Sequence, residues 1–503
     1  MSRTKKFVYN SATTALYQII LMVSGFITVS VVLKSYGSEV NGLVSSINQF
    51  IVYFKLVEAG LSSAAIYALY KPLAINDYKA INEVVVAAKK IYTKSGYVFL
   101  LLTIGLALFY PMFLTSDSIT PLTVGILVLI LGVNGALEFF TLAKYRALLT
   151  ADQKTYVISI ASIIYVIANT FIIVFLANLM VNIITLWLVS LISVILRTLI
   201  LLYYVKKRYK WINYKEKPNF NALNQRWDAL YLQILGAIHV GSSIVILTVI
   251  TKDMKLVSIY SVFYMIIIGL NGILSIFKTG LFASFGDVIA KGEVEILQKA
   301  YKEFEYFYYS LIAIVFSISF VMILPFIRIF TKNVTDINYD LPLIGVLFVL
   351  NGLLYNIKTP QGMLVISAGL FKETKLQTTI QGAVVIIVGI ILTPTLGIVG
   401  VLIASIISNI YRSVDLLFFI PKKVTKLPVK DTLYRMIRAI ISVVVIWAPF
   451  WFININPTNY VSWFAYASAI GTYALFVVVV MGYMYERENL LSTVERIFKM
   501  VKR

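Results

Sequence analysis

The stretch SVILRTLILLYYVKK (residues 193–207) aligns without gaps on SNIYRSVDLLFFIPK (residues 408–422). The alignment places Arg197 against Arg412, two arginines inside otherwise apolar segments. Two further pairs of segments match at nearly the same offset: residues 60–80 on 280–300, and residues 134–151 on 351–368. Three matches in the same order, at offsets of 215 to 220 residues, indicate an internal duplication.

The composition is typical of a membrane protein. Of the 503 residues, 60% are hydrophobic and 13% are charged, whereas soluble domains have about 45–50% and about 25%. The net charge of +21 would suggest a nucleic-acid partner in a soluble protein. In this apolar chain it indicates membrane orientation instead, so we expect no nucleic-acid partner. The chain has no cysteine and one histidine, His239, so we expect neither disulfides nor a metal or other cofactor.

Fourteen segments of about 20 residues are apolar enough to span a bilayer. They begin near Ala12, Asn41, Ser95, Ile119, Thr155, Val181, Ala229, Val257, Tyr306, Leu341, Gln377, Ile398, Arg438 and Val461. With the N-terminus inside, the cytoplasmic segments hold 35 Lys and Arg residues and the external segments hold five. Because positive charge collects on the cytoplasmic side of membrane proteins, the sequence predicts that both termini are cytoplasmic.

The predicted fold is therefore all-α, with about 14 transmembrane helices in two six-helix pseudo-symmetric bundles and two additional C-terminal helices. The N-terminal half covers residues 1–205 and the C-terminal half covers residues 229–420. A basic cytoplasmic linker, residues 206–228, joins them, and residues 421–503 hold the last two helices and a cytoplasmic tail. Transporters built from such repeats carry substrate at the interface between the halves and rock the halves to alternate access.

Ionisable side chains inside the predicted spans are the candidate functional residues, because a charge at mid-membrane costs roughly 2.5–3.5 kcal/mol on insertion scales. They are Lys55, Glu58, Glu138, Arg197, His239, Lys278, Lys358, Arg412 and Asp415. Cations outnumber acids, so the predicted cavity favours an anionic ligand, and the two arginines suit phosphate oxygens. Asn41, Asn48 and Lys55 recur every seven residues, which predicts a hydrated polar face on the second span.

Several of these residues have a purely structural interpretation. The spacing i,i+3 allows Lys55 to pair with Glu58, and Arg412 to pair with Asp415, along one helix. His239 fits a packed neutral imidazole better than a proton relay. Lys358 lies two residues before Pro360, where a helix can kink, and it could pair with Glu138. Alternatively, Glu138 could bind a coupling cation.

The residues that suggest a family are Asn10 before the first apolar span, the stretch KSYGSEVNGLVSSINQF from Lys34, and the turn Glu58-Ala59-Gly60-Leu61. With the six-plus-six layout and the two late helices, the chain resembles the Wzx-type oligosaccharide flippases. These belong to the multidrug/oligosaccharidyl-lipid/polysaccharide exporter (MOP) superfamily, and the resemblance implies a MATE-like fold.

The resemblance implies that the protein moves undecaprenyl-pyrophosphate-linked oligosaccharide repeat units across the bacterial cytoplasmic membrane, for capsule, exopolysaccharide or O-antigen synthesis. Arg197, Arg412, Lys55 and Lys358 would then contact the pyrophosphate or acidic sugars. Asn41, Asn48 and Tyr53 would line the path of the sugars. The implied partners are the lipid-linked glycan, membrane lipids, and polysaccharide polymerase and export machinery.

Other functions stay open. A cation-coupled multidrug exporter of the same fold would need a buried acidic cluster. Lipid II flippases carry arginines in their first and second helices, whereas this chain has none in the first span and Lys55 in the second. A membrane glycosyltransferase or polymerase would usually have a large external loop, and the longest external loops here have only about ten residues. We therefore expect a flippase and not an enzyme.

Overall fold

The computed structural model describes residues 3–114, 119–141, 143–223, 226–279 and 281–501. These residues form α-helices joined by turns and short 3-10 or π segments, and none of them lies in a strand. Thirteen helical stretches within these ranges are long and apolar enough to cross a membrane. The chain is therefore a multi-pass membrane protein, and the predicted all-α fold is confirmed.

The thirteen stretches accommodate all fourteen predicted spans because one of them contains two. Tyr9–Ile75 has 67 residues, which is about 100 Å of helix, far longer than the roughly 30 Å hydrocarbon core. Within it the backbone leaves helical geometry at Gly37, with φ 83° and ψ 174°. This conformation disfavours any residue with a Cβ. Gly37 therefore separates the first span from the second.

The helices fall into two compact units, Met1–Ser261 and Val262–Arg503. The first unit contains α1 (Arg3–Phe54), α2 (Leu61–Ile75), α3 (Tyr78–Phe113), α4 (Pro121–Thr141), α5 (Ala143–Ala151), α6 (Thr155–Asn178), α7 (Ile183–Arg208), α8 (Arg226–Thr251) and the start of α9 (Met254–Thr279). The second contains the rest of α9, α10 (Leu281–Ala290), α11 (Val294–Phe330), α12 (Pro342–Ile357), α13 (Thr359–Ser367), α14 (Lys375–Leu396), α15 (Ile398–Ile420), α16 (Val429–Trp447), α17 (Tyr460–Tyr485) and α18 (Arg487–Val501). The predicted halves are defined by a sequence repeat rather than by contacts, and they stay a prediction.

Part of α1 packs closely on the first turns of α9. Asn41 is buried, and its Nδ2 donates to Ser258 Oγ at 2.7 Å and to Ser261 Oγ at 3.3 Å. A Cβ on the neighbouring Gly42 would lie only 1.8 Å from the carbonyl oxygen of Met254. The missing side chain at position 42 is therefore what allows these two backbones to approach.

The residue that opens the family resemblance, Asn10, fastens α1 to the start of α6. Its Nδ2 donates to the carbonyl oxygen of Gln153 at 3.0 Å, and its Oδ1 accepts from the N–H of Tyr156 at 2.8 Å. The same connection is tied to the end of α7, since the Tyr209 hydroxyl donates to Asp152 Oδ2 at 2.6 Å. Burial and this hydrogen bond raise the pKa of Tyr209, so its phenol keeps the proton that it donates.

The predicted linker, residues 206–228, packs against α3 over much of its described length. The Asn82 side chain accepts from the N–H of Asn213 at 3.1 Å and donates to the carbonyl oxygen of Trp211 at 3.2 Å. The Lys89 ammonium lies 4.7 Å from the ring centroid of Tyr214. The linker is thus held against the N-terminal part of α3.

Candidate functional site

Glu138 on α4 gathers two of the predicted cations of the first unit. Its Oε1 lies 2.5 Å from Arg197 Nη2 on α7, and its Oε2 lies 3.0 Å from Lys55 Nζ. The Arg197 guanidinium also lies 4.5 Å from the ring centroid of Tyr165. The Lys55 ammonium thus pairs with Glu138, on another helix, and not with Glu58, three residues along its own segment. Glu138 already pairs with Arg197, so Lys55 joins an existing polar centre.

Arg146 on α5 and Glu58 complete this group, which we call the N-terminal cluster: Lys55, Glu58, Glu138, Arg146 and Arg197. Arg146 acts electrostatically on both carboxylates. Lys55 and Glu58 begin and end a single 3-10 turn, Lys55–Glu58, that interrupts the second span before α2. Irregular backbone at membrane depth is tolerated where it is buried in protein or lines a water-filled cavity. The break therefore accords with a polar site.

A second group, the C-terminal cluster, consists of Asn351, Lys358, Asn409, Arg412 and Asp415. Lys358 lies between α12 and α13, where the helix breaks ahead of a proline, and its Nζ donates to Asn409 Oδ1 at 2.5 Å. Asn409 donates in turn to Asn351 Oδ1 at 2.8 Å. One turn further along α15, Arg412 pairs with Asp415 at 2.5 Å, as their i,i+3 spacing allows. Lys358 and Arg412 are both buried.

The two arginines at equivalent positions of the repeat use different acids. Arg197 reaches across to Glu138, whose equivalent under the repeat is Tyr355. Arg412 uses Asp415 on its own helix, whose equivalent is Ile200. The N-terminal cluster contains three cations and two carboxylates, and the C-terminal cluster contains two cations and one carboxylate. Each cluster therefore has one cation more than it has acids.

The remaining predicted site residues do not belong to either cluster. Asn41 is buried and hydrogen-bonded to serines of α9, whereas Asn48, two turns further along α1, is exposed. Tyr53 of α1, His239 of α8 and Lys278 of α9 are half-buried. The predicted polar face of the second span is thus divided between helix packing and an exposed surface. Its role as a sugar path stays a prediction, as does the cavity between the two halves.

An open groove of about 570 Å³ runs along α15 beside the C-terminal cluster. It is lined by Tyr411, Val414, Asp415, Phe418, Phe419 and Lys422. The lining is mainly apolar, with a carboxylate and an ammonium among aromatic rings. Such a surface suits the boundary between a lipid chain and its polar headgroup.

Four further charges, none of them a candidate site residue from the sequence, form a group with buried side chains in the second unit. Arg435 on α16 donates from Nη1 to Glu305 Oε2 and from Nε to Glu486 Oε2, each at 2.8 Å. Arg438 donates to Glu486 Oε1 at 2.6 Å. We call these four residues the C-terminal clamp, because they join α11, α16 and the end of α17. The i,i+3 spacing of the two arginines on α16 was the available sequence signal.

No family model matches the sequence. No curated protein matches it either. Solved structures do resemble the fold. An inward-facing multidrug resistance MATE family transporter of the MOP superfamily superposes with a TM-score of 0.65 at 15% identity, covering 84% of this chain and 95% of that one. The lipid II flippase MurJ, in an inward closed conformation, superposes with a TM-score of 0.61 at 18% identity, covering 96% of this chain and 99% of that one.

A MATE structure in complex with MaD3S is also similar, with a TM-score of 0.60 at 14% identity, covering 87% of this chain and 96% of that one. All three identities are far below the level at which sequence would argue for shared substrates. What the superpositions establish is the architecture. The chain has the fold found in MATE transporters and in the lipid II flippase MurJ.

Proposed function

We propose that the protein is a flippase that moves undecaprenyl-pyrophosphate-linked oligosaccharide repeat units across the cytoplasmic membrane by alternating access, for capsule, exopolysaccharide or O-antigen synthesis. The observation that carries the proposal is the cationic excess of both clusters. Arg197 and Arg412 are buried guanidinium groups, and guanidinium matches phosphate oxygens in charge and in geometry. An anionic headgroup on a lipid therefore fits these clusters better than a cationic drug does.

The extent of the structural likeness also supports a flippase. Residues 421–503, with the last two helices, make up about one sixth of the chain. The superposition on MurJ covers 96% of the chain, so it must include most of these C-terminal residues. The superpositions on the two MATE structures cover 84% and 87%. The lipid flippase therefore matches the chain over more of its length.

A lipid II flippase is the second candidate, on the strength of the same superposition. Lipid II and the proposed substrate share the polyprenyl chain and the pyrophosphate, so both clusters would serve either lipid. The two differ in the sugars. A cation-coupled multidrug exporter is the third candidate, and the cationic excess of the clusters argues against it.

Removal of either buried arginine tests the proposal. We expect Arg197→Ala and Arg412→Ala each to abolish polymer export in a flippase-null strain, because each removes a guanidinium from one cluster. The matched control is Arg328→Ala, an exposed arginine paired with Asp340, which should leave export intact. Protein in the membrane fraction is measured by immunoblot. Wild-type export from both cluster variants would overturn the site assignment.

Reconstitution separates the candidates. Vesicles containing the purified protein are offered a pyrophosphate-linked oligosaccharide lipid, lipid II, or a cationic dye, and translocation of each is measured. The proposal expects transport of the oligosaccharide lipid, lost in Arg197→Ala. Transport of lipid II alone would favour the second candidate, and dye export that survives Arg197→Ala would favour the third.

A further inference from the structure

The break between α12 and α13, where Lys358 lies, is held by buried side chains of α11. The Tyr309 hydroxyl donates to the carbonyl oxygen of Ile357, the residue immediately before Lys358, at 3.1 Å. Gln361 Nε2 lies 2.8 Å from the same hydroxyl and 3.1 Å from Glu305 Oε1. Glu305 and Tyr309 are fully buried, and Gln361 is 2% exposed. The geometry of the break therefore depends on this side-chain network.

The two oxygens of Glu305 face different elements. Oε1 accepts from Gln361 at the break, and also from Tyr301 on the same helix at 3.1 Å. Oε2 accepts from Arg435 at 2.8 Å and from Thr432 at 3.3 Å, both on α16. One carboxylate thus joins the helix break at Lys358 to the C-terminal clamp.

The charge balance of this network distinguishes it from the two cationic clusters. The clamp contains two arginines and two glutamates, so it adds no net charge for an anionic headgroup to recognise. Buried ion pairs are also a weak source of stability, because desolvation offsets most of their attraction. Fixing the relative positions of α11, α13 and α16 is the contribution that its directed hydrogen bonds can make.

We propose that Glu305 is a positioning residue for Lys358. Through Gln361 and Tyr309 it fixes the α12–α13 break, and through Arg435 and Glu486 it makes that break sensitive to the position of α16 and α17. A shift of the last two helices is then transmitted to a cation of the C-terminal cluster. The importance of Lys358 for the headgroup rests on the proposed function, whereas its positioning by Glu305 does not.

A single thiol reports on the break without any substrate. The natural chain has no cysteine, so Thr359→Cys, next to Lys358, introduces the only reactive thiol. Thr359 is half-buried, and its alkylation by N-ethylmaleimide in native membranes should be slow. All other variants are made in this background and compared by their alkylation rates.

Glu305→Gln should raise the alkylation rate about fivefold, the effect of losing about one buried hydrogen bond. Both carboxylate oxygens accept hydrogen bonds, so an amide NH₂ at position 305 must face a donor on one side. The matched control is Glu303→Gln, a buried glutamate on the same helix whose Oε1 accepts from Ser492 of α18 at 2.9 Å. We expect its rate to equal that of Thr359→Cys alone.

Gln361→Met guards against a folding defect in Glu305→Gln. It has similar volume and changes no charge, but it removes the contact between Glu305 and the break, so it should raise the rate to a similar extent. Rates in both variants equal to that of the Glu303→Gln control would overturn the proposal. Raised alkylation rates with normal polymer export would support the positioning of Lys358 by Glu305, but would contradict a role for Lys358 in the proposed function. Lost export at an unchanged rate would overturn the inference alone.

Discussion

Glu138 pairs with both Lys55 and Arg197, so the anion of the proposed function would have to compete with a carboxylate that the protein already supplies. The Arg197 side chain is 8% exposed, that of Glu138 is 21% exposed and that of Lys55 is 39% exposed. The guanidinium Nε of Arg197 has no hydrogen-bond partner among the described residues. The N-terminal cluster is therefore neutralised in part, with a donor left over for a second acceptor.

Glu138→Gln should destabilise the protein and make its stability sensitive to added pyrophosphate. Removing the shared acid leaves two cations facing one another. The cost should be about 2 kcal/mol, below the roughly 3–5 kcal/mol of a fully buried pair, because Lys55 is partly solvated. Thermal unfolding in detergent measures the change, and millimolar pyrophosphate should restore part of the lost Tm by binding the folded state.

Glu58→Gln is the control for this prediction. Glu58 belongs to the same cluster, but Lys55 donates to Glu138 instead, so its loss should cost less and create no new response to pyrophosphate. If Glu138→Gln is as stable as this control, or if pyrophosphate acts equally on both, then Glu138 is not the acid that an anion replaces.

At the scale of single residues, the sequence predicted the buried cations and one ion pair, that of Arg412 with Asp415. It did not predict the partners of the other cations. Arg197, Lys358 and Arg412 stand out because a charge is rare in an apolar segment. Arg197 and Glu138 lie 59 positions apart in the sequence and on different helices. No local spacing in the sequence indicates that they pair. The sequence did not indicate Arg146 or Glu305, because charged residues are common near the ends of membrane spans. Only the folded structure distinguishes the buried charges from the exposed ones.

Gly42 offers a prediction about how helices pack in the first unit. Gly42→Ala would place a Cβ 1.8 Å from the carbonyl oxygen of Met254. Backbone cannot rotate away as a side chain can, so α1 and α9 must separate, at a cost of about 1–3 kcal/mol. Thermal unfolding of the purified protein measures the effect.

Gly25→Ala is the matched control on the same helix, since nothing lies within 4 Å of a Cβ built there. It should leave stability unchanged or raise it slightly, because alanine favours helix more than glycine does. Equal stability of the two variants would mean that the close approach at Gly42 is not required.

At the scale of elements, the apolar windows located every predicted span, but they misjudged where two long helices begin. The corresponding spans were predicted to begin near Ser95 and Tyr306, whereas α3 begins at Tyr78 and α11 at Val294. The buried residues Leu297, Tyr301, Phe304 and Tyr308 recur at helical spacing. An average over a window hides this periodicity because charged residues lie between its members.

For the whole molecule, the sequence repeat places arginines at equivalent positions but gives them different ion-pair partners. Arg197 and Arg412 are equivalent and both buried, yet one is paired across helices and the other along its own. The excess of one cation in each cluster is nevertheless the same. The proposed function requires an excess of cations in each cluster, but it does not require the same ion pairs in both.

Membrane sidedness is the prediction that tests the molecule as a whole, and the absence of cysteine makes it direct. Single cysteines at exposed residues are labelled in intact cells with a membrane-impermeant maleimide. Leu179→Cys and Lys217→Cys lie on either side of α7, and Thr335→Cys and Glu373→Cys lie on either side of α12 and α13. With cytoplasmic termini and fourteen crossings, only Leu179→Cys and Thr335→Cys should react before the cells are broken.

Two pairs are needed because each possible error gives a different pattern. An inverted protein would exchange reactive and protected positions in both pairs together. An odd error in the number of spans between α7 and α12 would exchange them in one pair alone, which would also remove the parallel relation between the repeats. Labelling of both members of a pair would mean that the intervening helix does not cross the bilayer. A flippase with the proposed topology must therefore give the correct pattern in both pairs.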